Sequence, residues 1–252
     1  MLKIKARPAG TLSGAARAPD GVRLYCVGDI HGHVDLLNQV ADWIAADLAR
    51  APIAAATIFL GDYIDRGPDS RGVVERLSRG DFPTPVRALR GNHEEMLLTF
   101  LENEASMEAW RRYGGLETLH SYGVPVMQVM RGQGFGAARS ALLENMPARH
   151  LEFYRATEFF AEAGDYFFCH AGVRPGVPLE AQDPGDLMWI REEFIRYPGV
   201  FPKRIVHGHT PVSVPMVLPD RVNIDTGAYA SGALTCAALE GDTIRLFSTG
   251  RR

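Results

Sequence analysis

Val22-Arg23-Leu24-Tyr25-Cys26-Val27-Gly28-Asp29-Ile30-His31-Gly32 is the stretch from which the fold is read. A short apolar strand ends abruptly on a glycine and is followed by two polar, chemistry-bearing residues. Val34, Leu36, Leu37, Val40, Trp43, Ile44 and Leu48 then recur at helical spacing. The same unit repeats downstream. Thr57 to Leu60 reads as a second strand ending at Gly61, and Ser70 caps a helix carrying Val73, Val74 and Leu77 that Gly80 closes. Val86 to Leu89 reads as a third strand ending at Arg90-Gly91, with Met96, Leu97, Phe100 and Leu101 opening the next helix. Strands alternating with helices predict right-handed crossovers and a largely parallel sheet, hence an α/β fold.

Around this nucleus the pattern changes. Residues 1–20, rich in Ala, Arg, Gly and Pro, read as a flexible N-terminal arm with a short edge strand at Leu2 to Ile4. Residues 102–156 read as a mostly helical, lid-like insert, with Trp110, Gly114-Gly115 and the RGQGFG of 131–136 suggesting short helices and mobile loops. From Thr157 the period becomes two. Thr157 to Ala161 and Tyr166 to Cys169 predict a hairpin around Gly164-Asp165. Further strands follow at Arg204 to Val206, Met216 to Leu218, Val222 to Ile224, Leu234 to Leu239 and Thr243 to Phe247. With no repeat and no linker, residues 21–252 are expected to form a single domain.

The composition excludes several classes. Of the 252 residues 46% are hydrophobic and 23% charged, which rules out a disordered or collagen-like chain. No apolar run approaches the roughly 18 residues of a membrane span, and the basic N-terminus lacks the apolar core of a secretory signal. A net charge of -3 argues against a nucleic-acid partner. Cys26, Cys169 and Cys236 are too scattered for a disulfide framework and read as buried residues of a cytoplasmic protein.

Five polar motifs each follow a predicted strand: GDIHG at 28–32, GDYIDRG at 61–67, GNHE at 91–94, HAG at 170–172 and HGHT at 207–210. In open α/β sheets the carboxyl ends of the strands gather at one edge, where ligands bind. Carboxylates and imidazoles crowded there would repel or neutralise one another unless a cation joins them. The donors are oxygen and nitrogen without thiolate, which suits Mn, Fe, Zn or Co, and they outnumber what one open site needs. Two ions sharing a carboxylate accommodate them.

In this order the five motifs resemble the signature of the PPP-type metallophosphatases of the calcineurin-like phosphoesterase superfamily, the bacterial and phage serine/threonine protein phosphatases above all. The resemblance runs from about Arg23 to Leu239. It implies two packed mixed β-sheets flanked by helices, an αββα sandwich. It also implies two divalent ions, manganese foremost with Fe, Zn or Co as alternatives. Asp29 and His31 would bind the first, Asp62 would bridge, and Asn92, His170 and His209 would complete the second. His207, two residues before the last ligand, stands as a supporting candidate. Pro211 occupies the place where some wider relatives carry a further histidine. His93 would protonate the leaving alkoxide, oriented by Asp65. Arg66, Arg90 and Arg191 would hold phosphate oxygens through their planar forks. Tyr229 would lie at the rim, with Asp225 supporting and Glu94 bracing the turn.

The implied activity is hydrolysis of phosphomonoesters on protein (phosphoserine, phosphothreonine or phosphotyrosine) or on a small phosphorylated substrate, by attack of a metal-bound hydroxide. The nearest alternative is a symmetrical diadenosine tetraphosphatase or another phosphoanhydride or phosphodiester hydrolase on the same site. The symmetrical tetraphosphatases usually lack the carboxylate at the position of Asp65 and have Asp where Glu94 stands, so the protein-phosphatase pattern is favoured. A catalytically silent binding module would be expected to have lost a ligand or the acid, and none is missing.

Overall fold

A computed structural model describes residues 15–250, arranged as two five-stranded sheets packed face to face. The first half contains β1 (Val22–Val27), α1 (Val34–Arg50), β2 (Ala54–Phe59), α2 (Ser70–Ser78), β3 (Val86–Ala88) and α3 (Asn92–Glu102). A helical stretch follows: a short 3₁₀ turn (Glu104–Ser106), α4 (Met107–Trp110), α5 (Gly115–Ser121), α6 (Met127–Met130), α7 (Phe135–Asn145) and α8 (Ala148–Ala156). The second half holds β4 (Phe160–Ala163), β5 (Tyr166–Cys169), α9 (Pro184–Trp189), α10 (Glu192–Ile195), β6 (Arg204–His207), β7 (Met216–Val217), β8 (Arg221–Asn223), α11 (Ala228–Ser231), β9 (Thr235–Glu240) and β10 (Thr243–Ser248).

The first sheet runs β10-β9-β1-β2-β3 and the second β4-β5-β6-β8-β7. Each has a parallel centre, β1-β2-β3 and β5-β6-β8, and antiparallel partners outside it. The sheets are therefore mixed rather than largely parallel, because the later strands are joined by tight turns that can only reverse direction.

Strand alternation builds three apolar layers. Leu24 and Cys26 of β1 and Phe168 of β5 face inward and form the core between the sheets with Ile58, Val206 and Leu239. Tyr25, Val27 and Phe59 face out, under α1, α2 and the helical stretch. Phe167 and Cys169 face the other way, under α9 and α10. Helices lie on both outer faces, and the motif residues follow the carboxyl ends of the parallel strands.

Four local expectations are corrected. Asp69, not Ser70, caps α2, accepting from Gly72 N at 2.7 Å. The β4 strand begins at Phe160, because Glu158 pairs first with Leu89 beyond β3. The arm expected over residues 1–20 lies outside the described residues up to position 14, as does the strand at Leu2 to Ile4. Residues 15–20 are docked, not free. Ala16 and Ala18 are buried in the inter-sheet core, and Arg17 and Asp165 exchange two hydrogen bonds. Gly114-Gly115 joins closely packed parts and does not mark a loose loop, as shown below. No helix among the described residues is long and apolar enough to cross a membrane.

Candidate active site

Asp29, His31, Asp62, Asn92, His93, His170 and His209 all leave the carboxyl edges of the parallel strands, and all are buried. The backbone is strained at three of them, His31, Asp62 and His209. Among the described residues the only non-glycine positions with positive φ are His31, Asp62, Asp65, Arg66 and His209. Such conformations persist where the surroundings over-determine them, and they collect at functional sites.

Two triads of metal-capable groups, His31–Asp62–His93 and Asp62–His170–His209, share Asp62, with ligating atoms inside each within 4.8 Å of one another. His170 Nε2 lies 3.0 Å from Asn92 Oδ1, 3.1 Å from His209 Nδ1 and 3.4 Å from Asp62 Oδ2. One ring nitrogen carries at most one proton, so it cannot satisfy three acceptors, whereas a cation among them can. Asp62 Oδ2 is also 3.6 Å from His31 Nε2. Asp29 belongs to neither triad, but its carboxylate oxygens accept from the His209 backbone N–H at 3.1 and 3.4 Å. Gly208 is required here, since a Cβ would collide with the Asp29 carboxylate. Among the described residues the only two buried side-chain nitrogen or oxygen atoms without a hydrogen-bond partner are Nε2 of His207 and Nε2 of His209.

The protonation pattern is mixed, as expected of carboxylates and imidazoles crowded together. Burial pushes His31 down to about 3, and burial with the nearby His170 charge pushes His209 down to about 2, so both rings are neutral. Burial works to raise Asp62, but the charges of His170 and His93 overcome it and hold the carboxylate well below its usual range. For His170 burial acts downward and the Asp62 charge outweighs it, lifting the ring to about 9. Asp29 is raised by burial and by Asp225, itself lifted to about 6 by burial. Carboxylates packed this way accept a cation readily.

His93 is held differently from the other groups of the two triads. Its Nδ1 is 2.6 Å from Asp65 Oδ2, and its Nε2 is 3.7 Å from Asp62 Oδ2. Burial lowers its pKa, but Asp62 and Asp65 together more than reverse this, so the net shift is upward. Arg66 Nη2 reaches His93 Nε2 at 3.2 Å, and its guanidinium lies 4.6 Å over the ring of Tyr229. Tyr229 in turn meets His31 edge-on at 5.3 Å. Arg191 donates to Thr210 Oγ1 at 3.3 Å, and its charge helps to depress His209.

Two expected residues stand outside this group. Arg90 turns its guanidinium to Thr157 Oγ1 (2.9 Å), Glu95 (3.0 Å) and the carbonyls of Tyr154 and Arg155, and lies over Phe159. In this arrangement most of its donors are engaged by protein acceptors, which tie the residue before Gly91 to α3 and to the end of α8. His207 packs edge-on to Phe194 at 4.8 Å and belongs to the outer layer of the second sheet. Glu94 accepts from Asp62 N, Tyr63 N and Gly91 N, all at 2.9 Å, and so ties two motif turns together.

The sequence reading gave no place at the site to Trp110, Thr118 and Ser70, which surround Asp65, or to Tyr113 and Trp189, which are part-exposed beside His93 and His209. Their one signal was the Gly114-Gly115 pair following Trp110.

A family model described as calcineurin-like phosphoesterase matches residues 22–243. The chain belongs to this family. The phosphoesterase is 30% identical over 227 residues to serine/threonine-protein phosphatase 1 of Salmonella typhimurium, covering 86% of this chain and 92% of that protein. It is 32% identical over 177 residues to the symmetrical bis(5'-nucleosyl)-tetraphosphatase of Acidovorax sp. strain JS42, a match over 70% of this chain that spans only 49% of that longer relative. A solved structure described as a candidate diadenosine tetraphosphatase superposes with TM-score 0.64 at 19% identity, covering 92% of this chain and 98% of the other. The phosphoesterase is thus a metal-dependent hydrolase of a dinuclear family, in an αββα sandwich.

Proposed function

We propose that the phosphoesterase removes phosphate from phosphorylated protein side chains, phosphoserine and phosphothreonine first and phosphotyrosine with them. Asp29, His31, Asp62, Asn92, His170 and His209 would hold two divalent ions, manganese foremost. The ions would supply a hydrolytic nucleophile at neutral pH and positive charge against the phosphate. The chain's own residues do the rest. Arg66 and Arg191 stand at the mouth to grip phosphate oxygens, and a phosphate there would replace His93 Nε2 as the acceptor of Arg66. His93 Nε2 then holds the proton that the leaving oxygen takes, while Asp65 keeps the ring oriented through Nδ1.

The observation that carries this reading is the buried 2.6 Å pair of Asp65 and His93. A serine or threonine alkoxide is a strongly basic leaving group and needs a proton as it departs. The phosphate leaving an anhydride is a stable anion and needs one far less. The dinucleotide reading is favoured by the tetraphosphatase relative, whose identity to this chain is as high as that of the protein phosphatase. Rates of the manganese-loaded protein on phosphoseryl and phosphotyrosyl peptides, diadenosine tetraphosphate and a phosphodiester separate the two. The phosphopeptides should have the highest kcat/KM. Faster release of nucleotide from the dinucleotide would replace this proposal with the second reading.

A further inference from the structure

The Asp65 carboxylate is itself gripped by the helical stretch between α3 and β4. Trp110 Nε1, at the end of α4, donates to Asp65 Oδ2 at 2.7 Å, beside the His93 Nδ1 contact. Thr118 Oγ1, in α5, donates to Asp65 Oδ1 at 2.5 Å. The proton directions are determined by elimination. An ionised carboxylate only accepts, so the single Thr118 hydroxyl proton goes to Asp65, and Ser70 must donate to Thr118 across their 2.9 Å contact. The Asp65 N–H points at both hydroxyls, 3.0 Å from each. Trp110, Thr118, Ser70 and Asp65 are all buried, so these bonds form away from competing water.

The glycine pair belongs to the same device. A Cβ on Gly115 would lie 2.6 Å from the Trp110 indole, and one on Gly114, whose φ is +101, would lie 2.6 Å from Arg66 N. Gly114 O also accepts from Arg66 N at 3.3 Å. The insert therefore clamps the strained Asp65-Arg66 turn from outside, by backbone contact at Arg66 and by two side-chain donors at Asp65.

We propose that Trp110 and Thr118 are positioning residues for proton delivery. They hold Asp65 in the orientation that presents His93, so the helical insert takes part in expelling the leaving group. This rests on the reading of His93 as the proton donor. Its signature is dependence on the leaving group. A nitrophenolate leaves without help, whereas a phenolate or alkoxide needs the proton.

The test compares Trp110→Phe, Thr118→Val and Thr118→Ser with wild type, in manganese, on p-nitrophenyl phosphate, phenyl phosphate and a phosphoseryl peptide. Trp110→Phe and Thr118→Val should lower kcat on the phosphoseryl peptide and phenyl phosphate by about 10-fold or more, while p-nitrophenyl phosphate loses less than about 3-fold and KM holds. Thr118→Ser, which keeps the hydroxyl, should recover most of the Thr118→Val loss. Equal losses on all three substrates would reduce the contacts to general scaffolding and overturn the proposal, as would no loss. His93→Asn is the control. If it too shows no leaving-group dependence, the reading of His93 fails. If it shows the dependence and the insert variants do not, only the role of Trp110 and Thr118 fails. Thr118→Val is close in volume to the native residue, so misfolding of Trp110→Phe would leave the test standing.

Discussion

The strand edges and the helical insert serve the same pocket in opposite ways. The strand edges present candidate ligands just after β-strands, three of them (His31, Asp62 and His209) at positive φ. The insert presents no candidate ligand. It gives hydrogen bonds and van der Waals contact to groups that the strand edges present, Asp65 above all. The candidate ligands gather where the sheets end, and a segment distant in sequence adds hydrogen bonds to Asp65.

This contrast can be broken most severely at Asp62, which both triads share. Asp62→Asn should lower hydrolysis of an aryl phosphate by about 1,000-fold or more and cut bound manganese, read by metal analysis of the purified protein. Retained activity with full metal content would remove Asp62 from the centre. Next comes the acid. His93→Asn and Asp65→Asn should each cost about 100-fold or more on a phosphoseryl peptide with manganese still bound.

The two motif arginines sharpen the comparison further. Arg66→Ala should lower kcat/KM by about 10- to 100-fold with little change in melting temperature, because its partners are His93 and Tyr229. Arg90→Ala should do the reverse, lowering the melting temperature by several degrees with a smaller kinetic effect, because its partners are Glu95, Thr157 and two carbonyls. Similar kinetic losses in both would show that Arg90 also meets substrate.

The smallest effect lies far from the pocket. Asp47, bound by Arg245 and then by Tyr25 and Arg23, is held below the ordinary carboxylate range. A depressed folded pKa contributes stability above the unfolded value of about 3.9 and loses it as pH falls through the folded value. Asp47→Asn should therefore lower the melting temperature by a few degrees at pH 7, and the gap to wild type should narrow below about pH 4. Activity at pH 7 should stay unchanged.

Particular residues show how far the sequence could be read. The β1 run from Val22 to Val27 was legible to the residue, since an apolar strand stopping at glycine leaves little freedom. The five motifs were legible because each packs its polar residues into a few positions after a strand. The contacts of Arg90 were not legible, because a motif locates a backbone and not the direction of a long side chain, which Glu95 and Thr157 decide. Ser70 was misread for a related reason. Asp69 beside it is an equally good cap, and only tertiary contact with Asp65 and Thr118 draws the serine hydroxyl away.

Local chemistry, then, indicated most strands and the turns that follow them, because each depends on neighbours within a few residues. Folding alone decided that Trp110 and Thr118, 45 and 53 residues from Asp65, grip its carboxylate. No local pattern encodes which buried donor meets which acceptor across such separations, for that choice is made only when helices and sheet close on a common core.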